Sequence, residues 1–402
     1  MDLSKSNDNV ARRVAAMVER ISGMQKNDEY YYKMPVSKLR GGSKVVVNGR
    51  EMGMYASYSY LGLVGHPRIN KAAQDAVARY GTGTHGVRTL AGTLDLHREL
   101  EDTISEFKHA EAAVTYTSGY VTNLTVVSTL VSRGDYVFSD KLNHASLVDG
   151  CLMSGAKFRR FKHNDMVSLE HMLESTPAGA SKLVIADAVF SMDGDIIDLP
   201  KMVELCRKYD AWLMMDEAHS VGVLGKTGRG IEEHFNMWGS VDIKMGTLSK
   251  TIPSVGGYVA GKKDLITYLR HASRAYIFSA ALPPAQAAAA KEAFKVILDE
   301  PWRIEKLNVN TQQFIGGLQG RGFDTMLTET AIVPVLCGAD ETAYAITRHA
   351  QKNNLFVLPV VSPAVPVGLA RLRATVLASH EEKDIEYAMD VIAEAGKEIG
   401  II

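Results

Sequence analysis

A chain of 402 residues that is 46% hydrophobic and 23% charged has the make-up of a soluble globular protein, with room for one large and one smaller domain. Its 45 basic and 46 acidic side chains are interspersed and leave a formal net charge of −1, which argues against nucleic acid or an anionic membrane as a partner. Cys151, Cys206 and Cys337 lie far apart without C-x-x-C spacing, so they read as small apolar fillers in a reducing compartment, and no metal site is expected.

The stretch "MDLSKSNDNVARRVAAMVERISGM" starts polar and turns into an amphipathic helix without a signal-peptide core. No apolar run reaches the roughly 18 residues of a membrane span, so a cytoplasmic location is expected. "NDEYYYKMPVSKLRGG" reads as a polar and aromatic linker, and "KVVVNGREMGMYAS" as a hairpin turning at Asn48-Gly49. From about residue 66, helical stretches alternate with short apolar strands: "AAVTYTS", "YVFSD", "KLVIADAVFS", "AWLMMDEAHS" and "GSVDIKMGTLS". That order predicts an α/β fold, a mostly parallel sheet sandwiched by helices. "SAALPPAQAAAAKEAFKVILDE" opens on a Pro pair and predicts a long helix leading out of the large domain. "TAIVPVLC" and "ARLRATVL" are strands of a smaller C-terminal α/β domain. The expected boundaries are 1–45 for the leading helix and linker, 46–290 for the large domain and 291–402 for the small one.

The segment "MMDEAHSVGVLGKTGRG" carries Asp-Glu-Ala-His and Gly-Lys-Thr, as a helicase would. A phosphate loop needs G-x-x-x-x-G-K-[ST], but Ser220 stands where its first glycine belongs. That loop should also precede the acidic strand, and here it follows. The nucleotide reading fails on spacing and on order.

The same segment has another use. Asp216 ends an apolar strand, at the sheet edge where open α/β folds bind ligands. A carboxylate there needs a cationic or hydrogen-bonding partner, and a protonated pyridine nitrogen would serve. His219 could reach a second polar atom of the same ring. About thirty residues on, "MGTLSKTIPSVGG" presents Lys250 between Ser249 and Thr251, able to bond an aldehyde if its amine is held neutral. "YTSGYVTN" sets Ser118, Gly119 and Tyr120 at a strand-to-helix turn that suits a phosphate. His144 in "KLNHASLVDG" offers a flat stacking face, and Ser191 in "FSMDGD" a hydroxyl. Singly, these read as a turn glycine, a capping histidine and an exposed loop lysine. Together, in the order of successive strand ends, they fit pyridoxal 5′-phosphate (PLP), the electron sink for amino-acid carbanions.

These motifs resemble the α-oxoamine synthase family of fold-type-I PLP-dependent transferases, which includes 8-amino-7-oxononanoate synthase, 2-amino-3-ketobutyrate CoA ligase, 5-aminolevulinate synthase and serine palmitoyltransferase. The likeness runs from "YSYLGLVGHP" through "GTHGVRTLAGTLDLHRELE", "VFSMDGDIIDL" and "DEAHSVGVLG" to "ARLRATVLASH". It implies a homodimer that condenses glycine, alanine or serine with an acyl thioester, of CoA or a carrier protein, and releases CO2. It further implies that Lys250 bonds the PLP aldehyde and moves protons, and that Asp216 pairs with the pyridine nitrogen. His219 and Ser191 would contact the phenolic oxygen side, and His144 would stack on the ring. Thr247, with Ser118 and the backbone of Gly119 and Tyr120, would hold the phosphate, and Arg373 would pair with the amino-acid carboxylate.

The chain departs from the family pattern in three places. Ser59, in Tyr58-Ser59-Tyr60-Leu61, stands where many members carry an amino-acid-contacting Asn. Ala280 and Ala281 replace a Thr that reaches the partner's phosphate, with Ser279 beside them, and Val361 replaces an Arg. Two other readings stand beside the condensation: a PLP aminotransferase or lyase on the same fold, and a non-catalytic subunit of a heterodimer, which retention of Lys250 argues against.

Overall fold

Short apolar strands followed by helices build a seven-stranded sheet in the computed structural model, which describes residues 8–29, 36–39 and 42–402. Across the sheet the strands run Ala112–Tyr116, Gly257–Gly261, Ile243–Thr247, Trp212–Asp216, Lys182–Asp187, Tyr136–Asp140 and Lys157–Phe161. Only Gly257–Gly261 is antiparallel, to both its neighbours; the remaining pairings are parallel. All five predicted strands of this sheet are present. The two not predicted are "KFRRF", a charged edge strand, and "GYVAG", a buried strand of small residues without a strong apolar signal.

"GYVAG" is small for a reason visible in its packing. A Cβ on Gly257 would overlap the Thr122 hydroxyl and lie 2.8 Å from Gly119 Cα. The helix Gly119–Leu130 therefore seats its first residue directly against the sheet. A Cβ on Gly119 would in turn stand 2.9 Å from Thr247 Oγ1. Two glycines from distant segments thus bring a helix N-terminus and a strand end together.

The predicted hairpin is present: Lys44–Val47 pairs with Arg50–Met54, and Asn48 and Gly49 take the positive φ of 50° and 77° that a two-residue turn requires. It continues on one side to Val36–Leu39, a strand inside the stretch expected to be linker, and on the other to Leu355–Phe356. The rest of that linker, 30–35 and 40–41, and the polar residues 1–7 lie outside the described residues. Asn9–Lys26 is the leading helix.

A second sheet joins Ile332–Gly338, Ala370–Thr375 and Pro359–Val360. Its core includes Phe314, Val333, Leu372 and Ile392, apart from the main core around Leu100, Phe138, Met215 and Phe294. The helix Pro284–Asp299, expected to lead out of the large domain, instead packs within the main core through Ala287, Ala290 and Phe294. The connecting role falls to Trp302–Gly320, with Ile304 and Leu307 in the main core and Phe314 and Leu318 in the second. The Ala-rich face of the earlier helix explains the difference, because small side chains let it lie close against Pro67–Tyr80 and Asp95–Phe107.

Gly257→Ala should destabilise the protein by about 1–3 kcal/mol, the usual cost of overpacking, because the new methyl group meets backbone at Gly119. Urea denaturation monitored by circular dichroism measures this, and a change within about 0.5 kcal/mol would contradict the close approach.

Candidate active site

The carboxyl ends of five sheet strands converge on a cavity of about 250 Å³. Its walls include Ser118, Gly119, Tyr120, His144, Ser191, Asp216, His219, Thr247 and Lys250, so nine of the residues expected from sequence meet at one place. Each follows a strand of the same sheet, which is how positions more than a hundred residues apart become neighbours.

Asp216 is buried and has two donors: the Asn123 amide at 2.6 Å and the Ala218 N–H at 2.9 Å. Among the described residues no Lys, Arg or His side chain forms an ion pair with it. Asp187 stands beside it, paired in register on the neighbouring strand. Its Oδ2 accepts the His144 N–H at 3.1 Å, while its buried Oδ1 has no partner. Burial, with Asp216 as the next contribution, raises the Asp187 carboxyl well above the ordinary range.

Lys250 reaches into the cavity, with Nζ 2.6 Å from His219 Nε2. The other nitrogen of that ring, Nδ1, lies 2.6 Å from the Tyr60 hydroxyl. Burial, together with the charges of Lys250 and Arg373, drives His219 well below its ordinary value, so the ring is neutral. The Lys250 amine is lowered to about 8, chiefly by burial; Asp216 and Asp187 oppose the shift and Arg373 adds to it. His144 caps the helix Ala145–Ser154 through Nδ1 and is lowered by burial too.

At the other end of the cavity Ser118 caps the helix Gly119–Leu130 by accepting the Val121 N–H at 3.2 Å. The Gly119 and Tyr120 N–H groups stand in the first turn, where no intrahelical acceptor exists. Thr247 Oγ1 lies 2.9 Å from Ser249 Oγ, adding two hydroxyls on the facing strand end. A helix N-terminus with hydroxyls opposite is a phosphate-sized anion site. Buried Asp216 without an ion-pair partner among the described residues, flat His144, and Lys250 with a lowered amine complete a donor set that suits a phosphorylated pyridine aldehyde.

Arg373 does not line this cavity. It sits on the second sheet, buried, with Nε donating to the Ser191 carbonyl at 2.6 Å and Nη1 to Thr375 at 2.9 Å. Nη2 is buried without an acceptor, and the guanidinium lies 4.9 Å from the Tyr58 ring centroid. Ser59, like Arg373, does not line the cavity, and its hydroxyl accepts the Val64 N–H at 3.3 Å in the local turn. Tyr58, its neighbour, is the residue near both Arg373 and Lys250. Asn123, Asp187 and Tyr60 were also missed. Asn123 stands one helical turn after Gly119, and Asp187 ends its strand as Asp216 does, so both spacings were available to find them.

Lys226 is exposed in the glycine-containing turn after the Asp216 strand, away from the cavity. Among the described residues no three His, Cys, Asp or Glu side chains are placed to hold a metal ion. No helix there is long and apolar enough to cross a membrane.

The model for the aminotransferase class I and II family matches residues 55–392. The 8-amino-7-oxononanoate synthase of Geobacter sulfurreducens is 45% identical over 363 residues, which cover 90% of this chain and 93% of that protein. Among solved structures, a serine palmitoyltransferase from S. paucimobilis with bound PLP–myriocin superposes with a TM-score of 0.95 at 31% identity, covering 98% of this chain and 100% of that one. An 8-amino-7-oxononanoate synthase from Francisella tularensis gives a TM-score of 0.75 at 27% identity, over 87% and 98% of the two chains.

Because its amine is lowered to about 8, Lys250 should be acylated by a small anhydride with half-maximal rate near pH 8. Surface lysines should reach theirs near about 10.4. Peptide mass spectrometry across a pH series reads the difference; titration of Lys250 with the surface set would count against the buried setting.

Proposed function

The chain belongs to the α-oxoamine synthase family of fold-type-I PLP enzymes, and from that premise we propose that it condenses a small amino acid with an acyl thioester, with loss of CO2. The products are an α-amino ketone, CO2 and a free thiol. Glycine, alanine and serine are the candidate amino acids, and a CoA ester or an acyl carrier protein the acyl donor. The observation that carries this reading is the pairing of buried, cation-free Asp216 with a lowered Lys250 amine across one cavity.

When bound, PLP supplies an aldehyde for amines and a protonated ring that spreads negative charge away from the amino-acid α-carbon. Asp216, aligned by Asn123 and the Ala218 N–H, would hold the proton on the pyridine nitrogen. His144 would pack on the ring, and Ser118, Gly119, Tyr120 and Thr247 would hold the phosphate. His219 and Ser191 would serve the phenolic oxygen side. Lys250, as a free amine, takes the α-proton of the amino acid. The α-carbon then bonds to the thioester carbonyl carbon, and the carbon–sulfur bond breaks to release a thiolate, which takes a proton from water to become the thiol. Loss of the original carboxylate as CO2 follows, and Lys250 returns a proton to the same carbon. Arg373 orients the amino acid through its carboxylate by a fork of donors that a Lys could not reproduce.

A homodimer is the proposed working unit, since Leu90, Leu152, Met153 and Phe278 are large apolar side chains left exposed. A cytoplasmic setting fits three buried, unpaired cysteines.

PLP-loaded protein given glycine, alanine or L-serine with an acyl-CoA should release thiol and CO2 in equal amounts with one of them. Formation of a keto acid without thiol would favour the aminotransferase alternative. Lys250→Ala should lose at least about 10²–10⁴-fold in turnover and the lysine-linked visible absorbance, while Lys226→Ala keeps both. Equal losses in the two variants would overturn the assignment of Lys250.

A further inference from the structure

Arg373 lies outside the cavity wall, so something other than the cavity must set its position. Its Nε is seated on the Ser191 carbonyl, in the turn formed by residues 190–196. That turn is closed on itself, with Gly194 N–H donating to the Phe190 carbonyl at 2.9 Å and Phe190 N–H to the Asp195 carbonyl at 3.1 Å. On one side it meets the second sheet and the loop leading into it. Arg371 pairs with Asp193 at 2.6 Å, Thr330 donates to the Gly194 carbonyl at 2.9 Å, and Gly194 is packed too tightly against the Ile332 carbonyl to carry a side chain.

On the other side it meets a two-residue turn of the large sheet, His163-Asn164. His163 Nε2 lies 2.9 Å from Asp195 Oδ2, and its Nδ1 lies 3.1 Å from Asp140 Oδ1. Both ring nitrogens face carboxylate oxygens, so both donate and the ring is an imidazolium. Burial opposes that charge, but the hydrogen bonds to Asp140 and Asp195 outweigh it and push the ring up to about 10. Asp140 is fully buried and also accepts the Leu142 and Asn164 N–H groups, each at 2.8 Å. Asn164 adds a neutral bond, its amide donating to the Ile196 carbonyl at 3.1 Å. The edge of the Phe190 ring packs on His163, with centroids 4.4 Å apart.

We propose that His163, held between Asp140 and Asp195, is a positioning residue for Arg373, fixing the 190–196 turn whose Ser191 carbonyl seats the guanidinium that receives the amino-acid carboxylate. This rests on the reading of Arg373 as that partner. His163 touches neither substrate nor cofactor, and its effect passes through the turn. Removing its charge frees Asp195 while leaving the Asn164 contacts in place, and Ser191 is the one cavity-wall residue, among those described, that lies in this turn. The loss should therefore fall on amino-acid binding and spare acyl-thioester use.

The test compares PLP-loaded wild type, His163→Gln, Asp195→Asn, Arg373→Lys and the double variant His163→Gln/Arg373→Lys. His163→Gln should raise KM for the amino acid about ten-fold, with kcat and the acyl-CoA KM within about two-fold of wild type. Asp195→Asn should act in the same direction and carries the test alone should the first variant fail to fold. In the Arg373→Lys background His163→Gln should add little, since both act on one interaction. Hydrogen–deuterium exchange of the unloaded protein supplies a second reading, with the Phe190 and Gly194 amides exchanging faster in His163→Gln. An unchanged amino-acid KM, equal losses for both substrates, or full additivity in the double variant would overturn the proposal. A wild type inert with all three amino acids would instead overturn the proposed function, and with it the role of Arg373, while exchange still shows whether His163 holds the turn.

Discussion

The site depends on a buried carboxylate with no ion-pair partner among the described side chains. An ionised carboxyl inside a protein is costly unless hydrogen bonds or an opposite charge compensate it. Asp216 receives only a neutral amide and one backbone N–H, so its environment is completed by a cationic atom placed in the cavity. The rest of the local electrostatics follows. Asp187, in register beside it, is pushed toward its protonated form because two adjacent buried carboxyls resist ionising together. The same burial keeps the His219 ring neutral and lowers the Lys250 amine to about 8, so that its unprotonated fraction near neutral pH is far larger than that of a surface lysine.

Bringing these groups together is a property of the sheet. Parallel strands place every carboxyl end on one edge, and each delivers its functional residue there within a few positions. The phosphate end needs more than topology. Gly257 and Gly119 remove two side chains so that a helix N-terminus can lie against the Thr247 strand. Neither glycine does chemistry, yet both fix where an anion can sit.

Much of this was legible in the sequence. Five of the seven strands, the Asn-Gly hairpin, two of the three strands of the C-terminal sheet and eight cavity residues follow from apolar runs, turn chemistry and strand-end positions, and Thr247 from the family resemblance. What escaped has a physical reason in each case. "GYVAG" hides because its pattern is set by close packing rather than by apolar area. Asn123 has a telling place one helical turn after Gly119, but its partner, Asp216, is distant in the chain, so the spacing alone does not name its role. Tyr58 has no counterpart in the sequence reading, because its closeness to Arg373 and Lys250 is made by segments far apart in the chain. The connecting helix was assigned one element early, since an Ala-rich helix looks like a linker until its small face is seen buried in the main core.

Arg373 shows why a site of this kind cannot be read from its cavity alone. The cofactor-side residues all belong to the large sheet, whereas Arg373 belongs to a sheet with its own core. On the proposed roles of Arg373 and Lys250, their relative placement has to be held to a fraction of an ångström. Two features span the gap. The helix Trp302–Gly320 is buried at one end in each core, which fixes the coarse relation. The 190–196 turn provides the fine one, because its carbonyls and carboxylates bond Arg371 and Arg373 on one face and His163 on the other. Hydrogen bonds are directional where apolar packing is not, so the turn can set an angle that the helix cannot. The "FSMDGD" motif thus does more than present the Ser191 hydroxyl: its backbone and its two aspartates join the large sheet, through His163, to the second sheet, through Arg371 and Arg373.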